Sequence, residues 1–349
     1  MPIHRYSRQL ALEEIGEKGQ VKLAEASVLV VGCGGLGSAL LPFLASSGVG
    51  HIGIVDGDKI ELSNLHRQVL YSDADIGLLK VDVAAKRLKN QNPEIEIAKY
   101  PEFLDAHLAL ELFPKYDVIV DASDRLKLRY LMSDAAVLAE KPFVHAGIEK
   151  WEGQVSVFNY KKGPTYRDIY PEMDKNAPNC SEAGVLATNV GIIGLIQAQE
   201  VIKIILDLPD ILSGKLLCFN TKNYNQRILT FNKSKSPEIT RNSFLNAFGN
   251  PSFSSITFDS VIGTNSAIID VREEGELPIV EHSDITQIPL SDLEKRLQSS
   301  HTSKRIVLFC QSGIRSQRAA ILFRDAGFKE VYLLKEQAPE LSRLIPESI

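Results

Sequence analysis

Four glycines and an acid carry the first chemical signal in this chain. In the run Ser27-Val28-Leu29-Val30-Val31-Gly32-Cys33-Gly34-Gly35-Leu36-Gly37, a β-branched apolar stretch feeds directly into a glycine-rich turn. Such a turn suits phosphate. Gly32 allows a tight reversal, and Gly34 and Gly35 let backbone N–H groups approach an anion with no Cβ in the way. Gly37 lets the next helix lie close to its strand, and that helix N-terminus attracts negative charge. Asp56 follows Gly37 by 19 residues, at the end of His51-Ile52-Gly53-Ile54-Val55-Asp56. A carboxylate there takes ribose hydroxyls. The elements that must position these groups are a strand at 28–31, a helix over 38–47 and a second strand at 51–55. That order makes a glycine turn a nucleotide site. Pro42, well inside the helix, predicts a kink.

The residues after Asp56 narrow the chemistry. The run Asp56-Gly57-Asp58-Lys59-Ile60-Glu61-Leu62-Ser63-Asn64-Leu65-His66-Arg67-Gln68 resembles the signature of the ThiF/MoeB family. These are ubiquitin-activating-enzyme-like adenylyltransferases that act on sulfur-carrier proteins. A glycine turn alone fits many nucleotide enzymes. Joined to Asp-x-Asp and Ser-Asn-Leu-x-Arg-Gln at this distance, it fits this family.

The resemblance implies that the nucleotide is ATP, held by Gly32, Gly34, Gly35, Gly37, Asp56, Asp58, Ser63, Asn64, Leu65, His66, Arg67 and Gln68. Lys80 stands in the family's Gly-x-x-Lys position after the Arg-Gln motif, at the start of a helix over 81–88, as a phosphate ligand. Arg5-Tyr6-Ser7-Arg8-Gln9 resembles the family's N-terminal Arg-Tyr-x-Arg-Gln. In relatives the second of these arginines reaches into the partner subunit's ATP site, which implies a homodimer with Arg8 acting in trans. Its planar fork suits phosphate oxygens. Tyr116-Asp117-Val118-Ile119-Val120-Asp121-Ala122-Ser123-Asp124 is an apolar strand ending in an acid-rich turn. It resembles the family's Asp-x-x-Asp-Asn, with Arg125 in place of asparagine beside the nucleotide. Asp124 is thereby the candidate magnesium ligand, and Arg67, Lys80 and Asp124 the residues acting on the reacting phosphates. Asp121 is either a cap or a buried structural acid. His145, on the following strand, is expected to pack in the fold.

Residues 161–179 are polar and rich in turn formers, and read as a loop crossing the nucleotide site. The loop ends at Cys180. In the family a cysteine there can attack the adenylate or carry sulfur, so Cys180 is a candidate covalent intermediary. A long apolar helix follows over 185–206, with Gly184, Gly191 and Gly194 as close-approach points. Relatives use this region to dimerise. Many relatives also carry two Cys-x-x-Cys pairs that hold a structural zinc. The four cysteines here, Cys33, Cys180, Cys218 and Cys310, stand far apart, and none falls near 164–168 or 232–237. No zinc is expected, and packing is expected to replace its tie.

The stretch 232–252 reads as a linker, to about Arg241, followed by the start of a second domain. Ala267-Ile268-Ile269-Asp270-Val271-Arg272 is a strand ending in Asp-x-Arg. Arg305-Ile306-Val307-Leu308-Phe309 runs into Cys310-Gln311-Ser312-Gly313-Ile314-Arg315-Ser316, then a helix over 317–326. This resembles a rhodanese domain, in which Cys-x-x-Gly-x-Arg-Ser is the active loop. A short loop after a strand turns its amides toward the sulfur, and the helix N-terminus behind it favours thiolate and persulfide anions. Arg315 and Arg272 add positive charge or brace the loop. Two elements of that family are missing here. Its Gly-His-Ile-Pro-Gly-Ala segment does not occur between Arg272 and Leu290, and its late Gly-Gly is replaced by Lys335-Glu336-Gln337.

With 349 residues and 44% apolar content, two domains with proper cores are expected. They are an α/β, Rossmann-like ubiquitin-activating-type nucleotide domain over 1–231 and a small α/β rhodanese-like domain over 253–349. The net charge of −5, with no basic block, argues against nucleic acid and anionic membranes. The first 25 residues are polar and charged, without a secretory signal. The longest uncharged run, 183–199, falls short of the roughly 20 apolar residues of a membrane span. A soluble cytoplasmic protein is expected.

Together these features predict ATP-dependent adenylation of the C-terminal glycine carboxylate of a small ubiquitin-like sulfur-carrier protein ending in Gly-Gly. Sulfur would then transfer through a Cys310 persulfide, charged by a donor such as a cysteine desulfurase. Other readings stay open. A nicotinamide or flavin oxidoreductase would share the glycine turn but leave 63–68 and the Cys310 loop unused. A relative activating a tRNA-bound base would need a basic surface. A scaffold that only holds a ubiquitin-like partner, or a rhodanese-like domain used only for docking, would need neither full site.

Overall fold

A computed structural model of the chain describes residues 5–173, 184–234, 238–249, 253–297 and 304–345. Two helices precede the glycine turn, α1 (Ser7–Leu10) and α2 (Gly16–Glu25), and then comes strand β1 (Ser27–Val31). Helix α3 (Gly35–Ser47) begins inside the turn itself, with Gly34 as its cap, and runs unbroken through Pro42. There follow β2 (His51–Val55), α4 (Lys80–Gln91), β3 (Glu96–Tyr100), α5 (Ala106–Leu112), β4 (Val118–Asp121), α6 (Leu126–Leu138), β5 (Phe143–Glu149) and β6 (Glu152–Phe158). After the crossover come α7 (Ala187–Leu206), β7 (Lys215–Asn220), β8 (Gln226–Thr230) and α8 (Arg241–Phe248).

These elements form one eight-stranded sheet in the order β3-β2-β1-β4-β5-β6-β7-β8. Pairing is parallel from β3 to β5 and antiparallel from β5 to β8. The central parallel strands β1 and β4 read as near-continuous apolar runs because both faces of the sheet are covered there. In β1, Val28 and Val30 pack with Leu40, Leu44 and Val201 on one face, while Leu29 and Val31 pack with Phe113 and Met132 on the other.

Helix α7 is long and apolar enough to cross a membrane by length and composition, more than the 183–199 run suggests. It is a core helix here, with half of that apolar window buried. Gly194 allows its close approach to α3, since a Cβ there would lie 2.9 Å from Ala39 Cβ and 3.0 Å from Leu36 O. Gly191 faces open space and Gly184 precedes the helix.

The chain divides into two units, Met1–Gly249 and Asn250–Ile349. The division falls after α8, inside the 232–252 stretch but past the segment to about Arg241 read as linker. Thr240 caps α8 by accepting from the Ser243 amide, and Phe244 and Phe248, one turn apart, bury in the core that holds Phe113, Tyr130 and Leu131. Burying two aromatic rings outweighs the loop-like composition around them.

The second unit holds β9 (Ser255–Ile256), β10 (Ser266–Asp270), β11 (Ile285–Gln287), α9 (Leu290–Leu297), β12 (Arg305–Phe309), α10 (Ile314–Asp325), β13 (Val331–Leu334) and α11 (Ala338–Leu344). Its five strands are all parallel, in the order β11-β10-β12-β13-β9. Ile269 and Leu308 face one helical layer, and Ile268 and Val307 the other.

Candidate active sites

Register places the first site. Val31 pairs with Val55 on one side and with Asp121 on the other, so Gly32, Asp56 and Ala122 leave the sheet at one carboxyl edge. The strand order turns from β2 to β4 across β1, the place where open α/β sheets hold ligands. Gly32 has φ +103°, and a Cβ on it would lie 2.6 Å from Ala122 O, so both conformation and space demand glycine. A Cβ on Gly37 would come 2.1 Å from Gly32 O, which is the tight helix–strand contact expected there. At Gly34 a Cβ would meet only Gln68 Nε2, at 3.7 Å, which leaves room for an anion. Gly35 differs from expectation. Val190 Cγ1 of α7 would lie 2.6 Å from its Cβ, so this glycine makes room for a helix.

Asp56 braces the turn from below. Its Oδ2 accepts from the Cys33 amide at 2.7 Å and its Oδ1 from the Asp58 amide at 2.8 Å. Burial raises its carboxyl above the usual range, opposed by nearby Lys80. Tyr71 adds a prop that no motif marks, since its hydroxyl donates to Cys33 O at 2.9 Å. Burial pushes the Cys33 thiol well up, so this cysteine is packing rather than chemistry. Lys80 opens α4 and is buried, with its Nζ 3.2 Å from Asp58 Oδ2. Gln68 is buried beside Gly34, and its Oε1 has no hydrogen-bond partner among the described residues.

The rest of the 63–68 run bonds within itself. Arg67 Nη1 donates to Ser63 O at 3.0 Å, His66 Nδ1 lies 3.1 Å from the same oxygen, and Asn64 Nδ2 donates to Ser63 Oγ at 3.3 Å. Leu65 packs on the edge of the core. Asp124 follows the β4 turn, exposed and with no hydrogen bond or ion pair among the described residues. Arg125 is also exposed and stacks over the Phe103 ring at 5.2 Å. Arg8 sits on α1, exposed and without a partner among the described residues. Asp121 is a buried acid bonded to His145, which is itself buried. Cys180 lies outside the described residues.

The segments around 164–168 and 231–234 are tied by hydrogen bonds as well as by packing, with Tyr166 and Phe231 in one apolar cluster. Asp168 Oδ2 accepts from Thr165 N at 2.6 Å and Thr165 Oγ1 at 2.9 Å, while Oδ1 accepts from Ser234 N at 2.7 Å and Ser234 Oγ at 2.6 Å. Burial works against the Asp168 charge, but these donors outweigh it and hold the carboxyl below its usual range. Arg167 forks onto buried Asp134 at 2.8 Å and lies over the Tyr130 ring. The start of the stretch read as a crossing loop is therefore anchored to α6. Among the described residues no group of three or more His, Cys, Asp or Glu gathers as a metal site.

In the second unit, β12 delivers Cys310 and α10 begins four residues later, earlier than expected. Gly313, at φ +88°, turns the chain so that its amide lies 3.1 Å and the Ser316 amide 3.4 Å from the Cys310 sulfur. Two converging N–H groups at a helix N-terminus suit a sulfur anion. The arginines act as braces. Arg315 forks onto Glu276, with Nη2 2.7 Å from Oε2, and this pairing holds the Glu276 carboxyl down at about 2. Buried Arg272 grips Asp270 at 2.6 Å and Pro278 O at 2.7 Å. At the position without Gly-Gly, the chain still supports the loop. Glu336 Oε2 accepts from Phe258 N at 3.0 Å, and Ala338 N donates to Cys310 O at 3.0 Å.

Comparison with known proteins matches both units. The ThiF family model covers residues 6–240 and the rhodanese-like domain model residues 258–338. The adenylyltransferase and sulfurtransferase MOCS3 of Culex quinquefasciatus is 37% identical over 93% of this chain and 84% of its own length. MOCS3-1 of Zea mays is 35% identical over 93% of this chain and 78% of its own. A probable molybdopterin-synthase adenylyltransferase of Gracilaria tenuistipitata var. liui is 34% identical over 92% and 93%. Among solved structures, E. coli MccB with ATP aligns with TM-score 0.58 and 25% identity, over 67% of this chain and 74% of that one. The chain belongs to the ThiF family and carries a rhodanese-like domain after its ThiF domain.

Proposed function

We propose that the first unit uses ATP to adenylate the C-terminal glycine carboxylate of a small ubiquitin-like carrier protein ending in Gly-Gly, and that the second unit supplies sulfur to that carboxyl group. The observation that carries this reading is the convergence, at one sheet edge, of an open glycine turn, a buried lysine and the exposed Asp124 carboxylate, which has no partner among the described residues. A carboxylate oxygen of the carrier attacks the α-phosphorus of ATP, and the bond to pyrophosphate breaks. Catalysis of such a step is positioning and charge neutralisation. Lys80, Arg67 and the partner subunit's Arg8 stabilise phosphate charge in a homodimer. Arg8, exposed and without a partner among the described residues, is available for use in trans. Asp124 fits magnesium, which takes one or two carboxylates and completes its shell with phosphate oxygens and water. When bound, that ion neutralises phosphate charge.

The acyl adenylate is then open to sulfur. The outer sulfur of a Cys310 persulfide attacks the acyl carbon, AMP leaves, and an acyl disulfide remains. A second thiol attacks the Cys310 sulfur and releases the thiocarboxylate. Cys180 is the candidate for that thiol, and a cysteine desulfurase for the sulfur source. We place these reactions in the cytoplasm. ATP–pyrophosphate exchange with candidate carriers tests the first half. Arg67→Ala and Asp124→Ala should each lower exchange by at least about 100-fold while the fold is kept. Near-normal exchange in either variant removes that residue from the site.

A further inference from the structure

A buried ionisable cluster that the proposed mechanism does not use lies directly behind Asp124. Asp121 ends β4 and is fully buried. Its Oδ1 accepts from the Ser123 amide at 3.0 Å and from Ser123 Oγ at 2.6 Å. Its Oδ2 lies 2.8 Å from His145 Nδ1 on β5 and 3.6 Å from Arg129 Nε on α6. Gln197 of α7 closes the cluster, with its Nε2 donating to Asp121 O at 2.6 Å and to Val144 O at 3.1 Å. Four elements thus meet on one carboxylate and its backbone.

The cluster has a direction. A side-chain oxygen that bonds the amide two residues on fixes a turn, so Asp121 sets the path of 121–123. Asp124 is the next residue, and it faces solvent with no partner among the described residues. The same turn also backs the nucleotide loop, because Ala122 O is the atom that a Cβ on Gly32 would meet at 2.6 Å. Asp121 can hold this shape only if its second oxygen is held too. His145 does that from a fixed position. It is 2% exposed and walled by Tyr166 at 5.3 Å and Phe158 at 6.2 Å between ring centres. The acceptor is a carboxylate, so Nδ1 carries the proton. Burial holds the ring below its usual range, against the pull of Asp121.

We propose that His145 is a positioning residue for adenylation: it anchors Asp121, and through Asp121 the Ser123 turn that presents Asp124 to the phosphates of the nucleotide. This rests on the adenylation reading above.

The test uses full-length protein and ATP–pyrophosphate exchange with a carrier. His145→Phe keeps the aromatic packing and removes the donor. His145→Asn places an N–H the same number of bonds from the backbone as Nδ1. Removing a buried partner of this kind typically costs about 10- to 100-fold in activity. His145→Phe should therefore lower kcat by about that factor while KM for ATP moves less than roughly threefold, because Asp56, which braces the nucleotide loop, and Lys80 are untouched. His145→Asn should recover most of the lost kcat. A structural role alone would lower stability without this split or this rescue. Ser123→Ala, which leaves the core intact, gives a second reading and should also lower kcat.

A folded His145→Phe protein with unchanged kcat overturns the inference, as does an Asn variant no better than Phe. If His145→Phe does not fold, unchanged kcat in Ser123→Ala overturns it. Asp124→Ala separates the two layers. Loss of exchange there with a normal His145→Phe sinks only the inference, whereas normal exchange in Asp124→Ala sinks the site assignment and the inference together.

Discussion

Lys80 and Asp58 are joined twice: the ammonium lies 3.2 Å from the carboxylate, and the Lys80 amide donates to the Asp58 carbonyl at 3.0 Å. The second bond fixes the start of α4 against the end of the β2 segment. The first holds a buried cation ready beside the glycine turn. A phosphate arriving at Gly34 would share this lysine with Asp58, whose own side chain is 47% exposed.

Lys80→Ala should keep the backbone bond and lose the charge. We expect the fold to survive with a cost near 1 kcal/mol, as for a partly exposed pair. Pyrophosphate exchange should fall by at least about 100-fold. Urea unfolding and exchange assays on the same preparation check both numbers. Exchange within a few-fold of the parent would show that Lys80 only braces Asp58.

Arg8 should act across a dimer. Mixing inactive Arg8→Ala with inactive Lys80→Ala protein should restore part of the activity, because each mixed dimer holds one site with both residues intact. Subunit exchange is checked by mass spectrometry of differently labelled copies. No recovery, despite proven exchange, would place Arg8 in its own subunit's site or outside the chemistry.

The second unit should lose stability in acid through Glu276. Its folded carboxyl titrates at about 2 against an ordinary 4.5, so the contribution is complete above pH 4.5 and is lost as pH falls from there toward 2. The full shift would be about 3 kcal/mol, and solvent screening of this one-third exposed pair reduces it to about 1–2 kcal/mol. Peptide-resolved hydrogen exchange of the segment around Val307 and Leu308, across a urea series, should show this slope in the parent. Glu276→Gln should flatten it. Equal slopes would mean that the Arg315 pair does not stabilise the unit.

The sequence reveals most where one residue type is physically required. Gly32 must be glycine because of its φ and Ala122 O, and a motif built on such needs is visible without coordinates. The same holds for Gly37, and for Cys310 followed by a glycine that turns its loop. What stays hidden comes from tertiary contact. Val190 takes the space of a Gly35 side chain, Tyr71 props Cys33, and Gln197 bridges two strands. Each lies far along the chain from what it touches, so no local pattern announces it. The α8 segment is a different case. Its polar surroundings read as the start of the second domain, yet Phe244 and Phe248 at a four-residue spacing are the signal of a helix face buried in the first. Asp168 shows a third. One carboxylate ties two distant segments, and a lone aspartate in a polar stretch does not reveal its partner 66 residues away.

In the proposed function one chain both activates a carrier carboxylate and delivers sulfur to it. The direct measurement is intact-protein mass spectrometry of a small carrier ending in Gly-Gly, incubated with the full-length chain, ATP, magnesium, a cysteine desulfurase and cysteine. The parent should convert the carrier to its thiocarboxylate, one oxygen replaced by sulfur, only when ATP is present. Cys310→Ala should form the adenylate at the parent rate and stop there. Thiocarboxylate made equally well by Cys310→Ala, or no ATP-dependent change in any such carrier, would contradict the account.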